Sequence, residues 1–169
     1  MPTGPGDVLV TGASGFIGRA LVRRLAAHGN PPVCTARRPV EDLVEGARWI
    51  PGDLTDPGFV TRLVAEARPT VVYHLASAVT GNRSLELVQT TLASNLTAGV
   101  NLLQAVTEAG CDRVVLTGSC DEPEDGAAPC SPYAAAKWAL GGYARMFRSL
   151  YGTPVTTART FMVYGPDQP

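Results

Sequence analysis

Tyr133 and Lys137 stand four positions apart in the stretch SPYAAAKWAL, and Lys137 is the one lysine in a chain with 14 lysines and arginines. On a helix, residues i and i+4 share a face, so this phenol and this ammonium point the same way. A phenol titrates near pKa ~10 and is a poor base at neutral pH; a cation beside it favours the phenolate and lowers that value. Such a pair can take a proton from a hydroxyl or give one to a carbonyl oxygen. A compact ammonium with rotatable donors bridges neighbouring hydroxyls where a broad guanidinium fork fits less well, which gives an arginine-rich chain a reason to keep one lysine. Alone, Tyr and Lys at this spacing are a weak signal, so their surroundings must decide.

A second group of residues suits an anion. VLVTGASGFIGRAL places Gly12, Gly15 and Gly18 directly after an apolar run and into a helical pattern. One glycine permits a tight turn, another lets the main chain approach a pyrophosphate, and a third lets helix and strand pack closely. The N–H groups around Ser14, Gly15, Phe16 and Ile17 then stand at a helix amino-terminus, whose dipole favours negative charge. A strand-to-helix turn without a ligand is the bland alternative; the strand before it and the helix after it favour binding.

A parallel sheet supplies the frame these groups need. The spacing predicts strands at 7–12, 31–36, 47–51, 70–77, 113–119 and 154–161, and helices at 15–28, 57–67, 85–109 and 133–151. Alternating strands and helices, with near-continuous Val and Leu runs, give an α/β fold: a doubly wound parallel sheet with helices on both faces. The 169 residues suit one domain, and 45% hydrophobic with 17% charged residues is globular composition. A net charge of −1 argues against bulk attraction to nucleic acid or acidic membranes. No apolar run is long enough to span a bilayer, and MPTGPGDVLVTG lacks the pattern of a signal peptide, so a soluble, cytoplasmic protein is expected. Cys34, Cys111, Cys120 and Cys130 form no C-x-x-C pair and lie far from His28 and His74, so reduced thiols and no metal site are expected. The acids of the turn-rich loop 121–132 are expected on a solvated rim.

TGASGFIG, SPYAAAK and ARTFMVYGP together resemble the extended branch of the short-chain dehydrogenase/reductase family, the NAD-dependent epimerase/dehydratase type, over Asp7 to Pro166. The resemblance implies a Rossmann-type dinucleotide-binding domain over 1–169. It implies Ser119, at the end of RVVLTGS, as a third catalytic member beside Tyr133 and Lys137. It also implies Asp53 and Leu54 at the adenine, Leu75, Ala76 and Ser77 along the cofactor, Asn95 in support through backbone contacts, and Phe161 and Val163 beside the cofactor. A helix-capping Asp53 and a satisfied core Asn95 are the competing readings, although Asp56 serves the cap better. Where NAD enzymes of this architecture often carry an acid for the ribose hydroxyls, the second strand is followed by Ala36, Arg37 and Arg38. Arginine forks suit a 2′-phosphate, so NADP(H) is preferred and NAD(H) stays possible; two surface arginines would look the same.

The departures narrow the activity. In GSCDE, ungapped register puts Cys120 where the dehydratases carry Asp, which argues against dehydration. The Asn expected before VYGP is Met162, which weakens a nucleotide-sugar assignment. The branch continues beyond YGP into a smaller substrate-binding domain, which is not seen in these 169 residues, so weak or absent turnover is expected of them alone. The leading expectation is an NADP(H)-dependent ketoreductase acting on a keto-sugar nucleotide through Ser119, Tyr133 and Lys137. A nucleotide-sugar epimerase with bound NAD, a reductase of a non-sugar ketone or aldehyde, and a non-catalytic NADP(H)-binding domain remain open. A homodimer through helices 85–109 and 133–151 is the expected assembly.

Overall fold

A computed structural model describes residues 8–37, 44–124 and 126–168. Six strands, β1 (Val8–Thr11), β2 (Val33–Thr35), β3 (Arg48–Trp49), β4 (Val71–His74), β5 (Arg113–Ser119) and β6 (Val155–Thr160), form one sheet in the order β3-β2-β1-β4-β5-β6. Every pairing is parallel, with Val10 level with Cys34 on one side and Tyr73 on the other. The chain starts in the middle of the sheet, builds outward to β3, then returns to the far side of β1. The strand order therefore reverses between β1 and β4, and a crevice opens there beyond the carboxyl ends of the strands.

The helices are α1 (Phe16–Ala27), α2 (Pro57–Ala67), α3 (Leu87–Thr91), α4 (Ala98–Ala109) and α5 (Pro132–Tyr151). Side-chain alternation along β1 divides the core. Leu9 packs with Leu63, Leu102, Leu103 and Leu140 from α2, α4 and α5, whereas Val8 and Val10 pack with Val22 of α1 on the opposite face. Helices cover both faces, as the sequence predicts, but unevenly. Burial of these aliphatic side chains, at about 25 cal/mol per Å² of apolar area, drives the assembly. Cys34 is fully buried in β2, where burial pushes its thiol up to about 12, and all four cysteines are free.

Two element boundaries differ from expectation in ways that matter. The helix expected over 85–109 is broken by a π-helical turn, Leu92–Thr97, between α3 and α4. Asn95 sits in that turn, and a local widening of this kind aims a side chain that a regular helix would direct elsewhere. The strand expected over 70–77 ends at His74, which leaves 75–77 as a loop along the crevice.

Candidate functional site

The crevice at the β1/β4 reversal is a cleft of about 190 Å³ that includes Gly12, Ser14, Gly15, Arg37, Asp53 and Ser77 in its lining. Gly12 has φ +66°, and a Cβ there would lie 2.5 Å from the Ala76 nitrogen. Gly18 faces it from α1, where a Cβ would lie 2.2 Å from the Gly12 carbonyl oxygen. These two positions require glycine, one for its backbone and both for space. Gly15 is the N-cap of α1 and supplies no side-chain bond, and the first turn holds no acid. By contrast Asp56 caps α2 through the Gly58 N–H, and Ser131 caps α5 through the Ala134 N–H. The amino-terminus of α1 thus has no side-chain cap where its glycine turn meets the cleft.

The end of the cleft below β2 holds Thr35, Ala36, Arg37, Gly52, Asp53, Leu54 and Thr55. Asp53 accepts from both the N–H and the hydroxyl of Thr55 through one oxygen, at 2.9 Å each, which shapes the 52–55 turn. Arg38 lies outside the described residues. Leu75, Ala76 and Ser77 line the cleft from β4. Asn95 reaches this loop from the π-helical turn: its carbonyl accepts from the Ala78 N–H at 2.7 Å and from the Ser77 hydroxyl, and its NH₂ donates to the Ala78 carbonyl. Its amide is spent on the loop, so it acts through main chain. Beneath the loop, the Thr11 hydroxyl accepts from the Ala76 N–H and pairs with His74 Nδ1 at 2.8 Å. His74 Nε2 is buried without a partner, and burial pulls the ring down to about 3, with the Lys137 charge adding to the effect.

Ser119, Tyr133 and Lys137 come together at the carboxyl end of β5, each under a tenth exposed. Lys137 Nζ lies 5.9 Å from the Tyr133 ring centroid and donates to the Thr117 carbonyl at 2.8 Å, with the Thr117 hydroxyl at 3.3 Å. Burial lowers Lys137 to about 8, while the charge of Glu122 works the other way. The expected lowering of Tyr133 is corrected here. Burial raises its phenol above the ordinary value, and the Ser119 and Ser77 hydroxyls only partly oppose that. The ammonium reaches toward the strand rather than the phenol oxygen, so desolvation wins over charge.

The acids of the 121–132 loop are not all on a solvated rim. Glu122 is buried, bonds the Ser119 N–H at 2.7 Å and pairs with Arg159 at 3.0 Å. The segment GSCDE held this residue, but in the sequence it bears on Cys120 in the place of a dehydratase Asp and not on a support. Thr117, which anchors Lys137, and Ser94 and Ala98, which line the cleft, also carried no sequence signal of their own. Phe16, Ile17 and Gly18 flank the turn without lining the cleft, and Phe161 and Val163 are 77% and 43% exposed outside it. Among the described residues no cluster of His, Cys, Asp and Glu could hold a metal ion, and no helix is long and apolar enough to cross a membrane.

Comparison with known proteins agrees with this architecture. The UDP-glucose 4-epimerase of Mycolicibacterium smegmatis is 34% identical over 95% of this chain and 57% of its own length. The dTDP-glucose 4,6-dehydratase of Xanthomonas campestris is 30% identical over 94% of this chain and 53% of its own. The crystal structure of the Thermus thermophilus UDP-glucose 4-epimerase in complex with NAD superposes with a TM-score of 0.86 at 32% identity, over 96% of this chain and 57% of that one. The Thermotoga maritima UDP-glucose 4-epimerase, solved with UDP-glucose, gives 0.87 at 26% identity, over 96% and 58%. The chain thus spans little more than half the length of the relatives it matches. A family model, the NAD dependent epimerase/dehydratase family, matches residues 8–169, and the chain belongs to that family.

Proposed function

We propose that these 169 residues form the dinucleotide-binding and proton-handling domain of an enzyme that moves hydride to and from a nucleotide sugar. The observation that carries this is a juxtaposition. One sheet edge joins an uncapped helix amino-terminus, fit for a pyrophosphate, to a buried Ser119, Tyr133 and Lys137 group, fit for a carbonyl or hydroxyl. The cleft has the layout of a nicotinamide dinucleotide site: the uncapped amino-terminus of α1 at Ser14 and Gly15, a turn at 52–55 for the adenine, and a loop at 75–77 along its length. When bound, the nicotinamide supplies the hydride acceptor and donor. Tyr133 would exchange a proton with the substrate oxygen, Ser119 would orient that oxygen, and Lys137, held on Thr117, would offer its ammonium to the ribose hydroxyls.

Relatives named as 4-epimerases favour an epimerase, in which one proton-handling group serves both directions. Arg37 at the cleft favours a second reading, an NADP(H)-dependent ketoreductase. Substrate residues beyond this span would complete the pocket, since 161–164 are exposed here. A second copy would pack on the apolar groove of Val88, Leu92, Leu96, Pro132, Ala135 and Ala139, which light scattering of the purified chain tests directly.

The functional test is fluorescence titration of the chain with NADH and NADPH, joined to turnover of UDP- and dTDP-hexoses by the full-length enzyme. Tight binding of NADH with interconversion of two hexose epimers is the expected result. A strict preference for NADPH with net reduction of a keto-sugar would establish the second reading. Binding of neither cofactor would overturn both.

A further inference from the structure

We propose that Glu122 is the positioning residue of the catalytic group: its buried carboxylate holds the Ser119 main chain in place and compensates the Lys137 ammonium, with Arg159 fixing its orientation. This rests on the reading of Ser119, Tyr133 and Lys137 as the proton-handling set. Glu122 Oε1 accepts the Ser119 N–H at 2.7 Å, and Oε2 accepts from Arg159 Nη2 at 3.0 Å. The carboxylate side chain is 5% exposed, whereas the arginine side chain is 49% exposed and leads outward to solvent. A buried carboxylate is costly unless its oxygens are bonded and its charge is matched. Here each oxygen has one strong donor.

The bonds converge on Ser119. Its N–H goes to Glu122, its carbonyl accepts from the Glu122 N–H at 3.3 Å, and its hydroxyl oxygen accepts from the Asp121 N–H at 3.1 Å. The serine is held on three sides by the two acids that follow it. Its hydroxyl proton stays free to donate. Space is reserved for the carboxylate as well. A Cβ on Gly118 would lie 2.6 Å from Oε1, and Oε2 lies within ordinary contact of the Gly141 position of α5. The group therefore sits between the end of β5 and the helix that carries Lys137, tied to β6 by Arg159.

The titratable groups around Lys137 are His74 from β4, Tyr133 on its own helix and Glu122 after β5, with Arg159 behind Glu122. His74 is neutral at working pH, and burial keeps Tyr133 protonated. Among the described residues Glu122 is then the anion whose charge favours a proton on Lys137, against the pull of desolvation. One carboxylate acts on two members of the set, through a hydrogen bond to the first and through its charge on the second.

Because Lys137 is the only lysine, ¹³C-lysine labelling of the chain gives a single side-chain resonance whose titration reports this group alone. Glu122→Gln keeps the shape and removes the charge. Its Lys137 midpoint is expected to fall by about half a pH unit or more. Glu122→Asp keeps the charge and withdraws the oxygen by one methylene. It is expected to leave the Lys137 midpoint near the wild-type value while the Ser119 amide resonance moves. Both variants should bind NADH as the wild type does, and in the full-length enzyme kcat should fall while KM holds. An unchanged Lys137 midpoint in the glutamine variant, or an unmoved Ser119 amide in the aspartate variant, overturns the proposal. Failure of the functional reading shows separately, as full turnover by Tyr133→Phe, and leaves the two resonance measurements to decide on Glu122.

Discussion

On the β1–α1 side of the cleft the contacts come from main chain. Gly12, Ser14 and Gly15 present backbone, the helix they open has no side-chain cap, and the two glycine contacts at 12 and 18 leave no room for a methyl group. On the β5–α5 side the work is done by side chains. Lys137 bonds Thr117, Glu122 bonds Ser119 and Arg159, and Ser131 caps the helix that carries Tyr133. A wall that binds through main chain must let a ligand come close, so its residues are small and its helix end carries no side-chain cap. A proton-handling wall must hold ionisable groups away from water, so its polar groups are already bonded to one another. The same sheet edge serves both because the strand order reverses between them.

The sharpest way to break this contrast is to put a side chain on the binding wall. Gly12→Ala combines positive φ with main-chain overlap at Ala76 and should abolish NADH binding and lower the melting temperature by about 10 °C. Titration and thermal denaturation check both. If the alanine variant binds normally, the wall is not main chain fitted to a ligand. On the other wall, Tyr133→Phe should lower kcat of the full-length enzyme by about 10³-fold and leave cofactor affinity within twofold. That pair of results would show that one wall binds and the other reacts.

The buried ammonium gives a pH test of the second wall. Lys137 titrates at about 8 in the folded chain and near its ordinary value of 10.5 when unfolded. Between those values the unfolded chain carries a proton that the folded chain has lost, so this group's penalty is full below pH 8 and fades toward 10.5. Lys137→Met should therefore be more stable than the wild type at neutral pH, and its advantage should shrink across that window. Denaturant midpoints of both proteins at several pH values measure it. A constant difference would mean that burial does not set the lysine. Ser131→Ala removes the α5 cap and should cost about 1 kcal/mol with little change in binding.

The glycine turn was largely legible in the sequence, because a backbone with no room for a side chain leaves a mark in residue type. Only glycine suits Gly12 and Gly18, and their spacing after an apolar run discloses the turn. On the β5–α5 side the juxtaposed Tyr133 and Lys137 were legible and the residues that hold them were not. Tyr133 and Lys137 stand out by helical spacing together with the glycine turn and the SP prefix, whereas Glu122 and Thr117 contribute through contacts to β6 and α5 that no local pattern records. The expectation of a lowered Tyr133 failed for the same reason. Charge at i+4 is visible in a sequence, but the depth of burial that outweighs it is set by the whole sheet. The π-helical turn at 92–97 was hidden too, since a widened turn keeps an apolar pattern close to that of a regular helix.

The smallest expected effect lies at the edge where the two walls are least distinct. Arg37 is the one cation among the described residues that line the cleft, and it is exposed beyond β2. An exposed guanidinium gains little from a distant charge but can grip a phosphate directly through paired N–H donors. If it reads a 2′-phosphate, Arg37→Ser should weaken NADPH binding by roughly tenfold and leave NADH untouched. Parallel titrations of wild type and variant with both cofactors give the answer. Loss for NADPH alone would add a side-chain element to the binding wall and move the reductase reading ahead of the epimerase. Equal affinities in both proteins would leave that wall to the main chain, with the discrimination between cofactors decided by nothing at position 37.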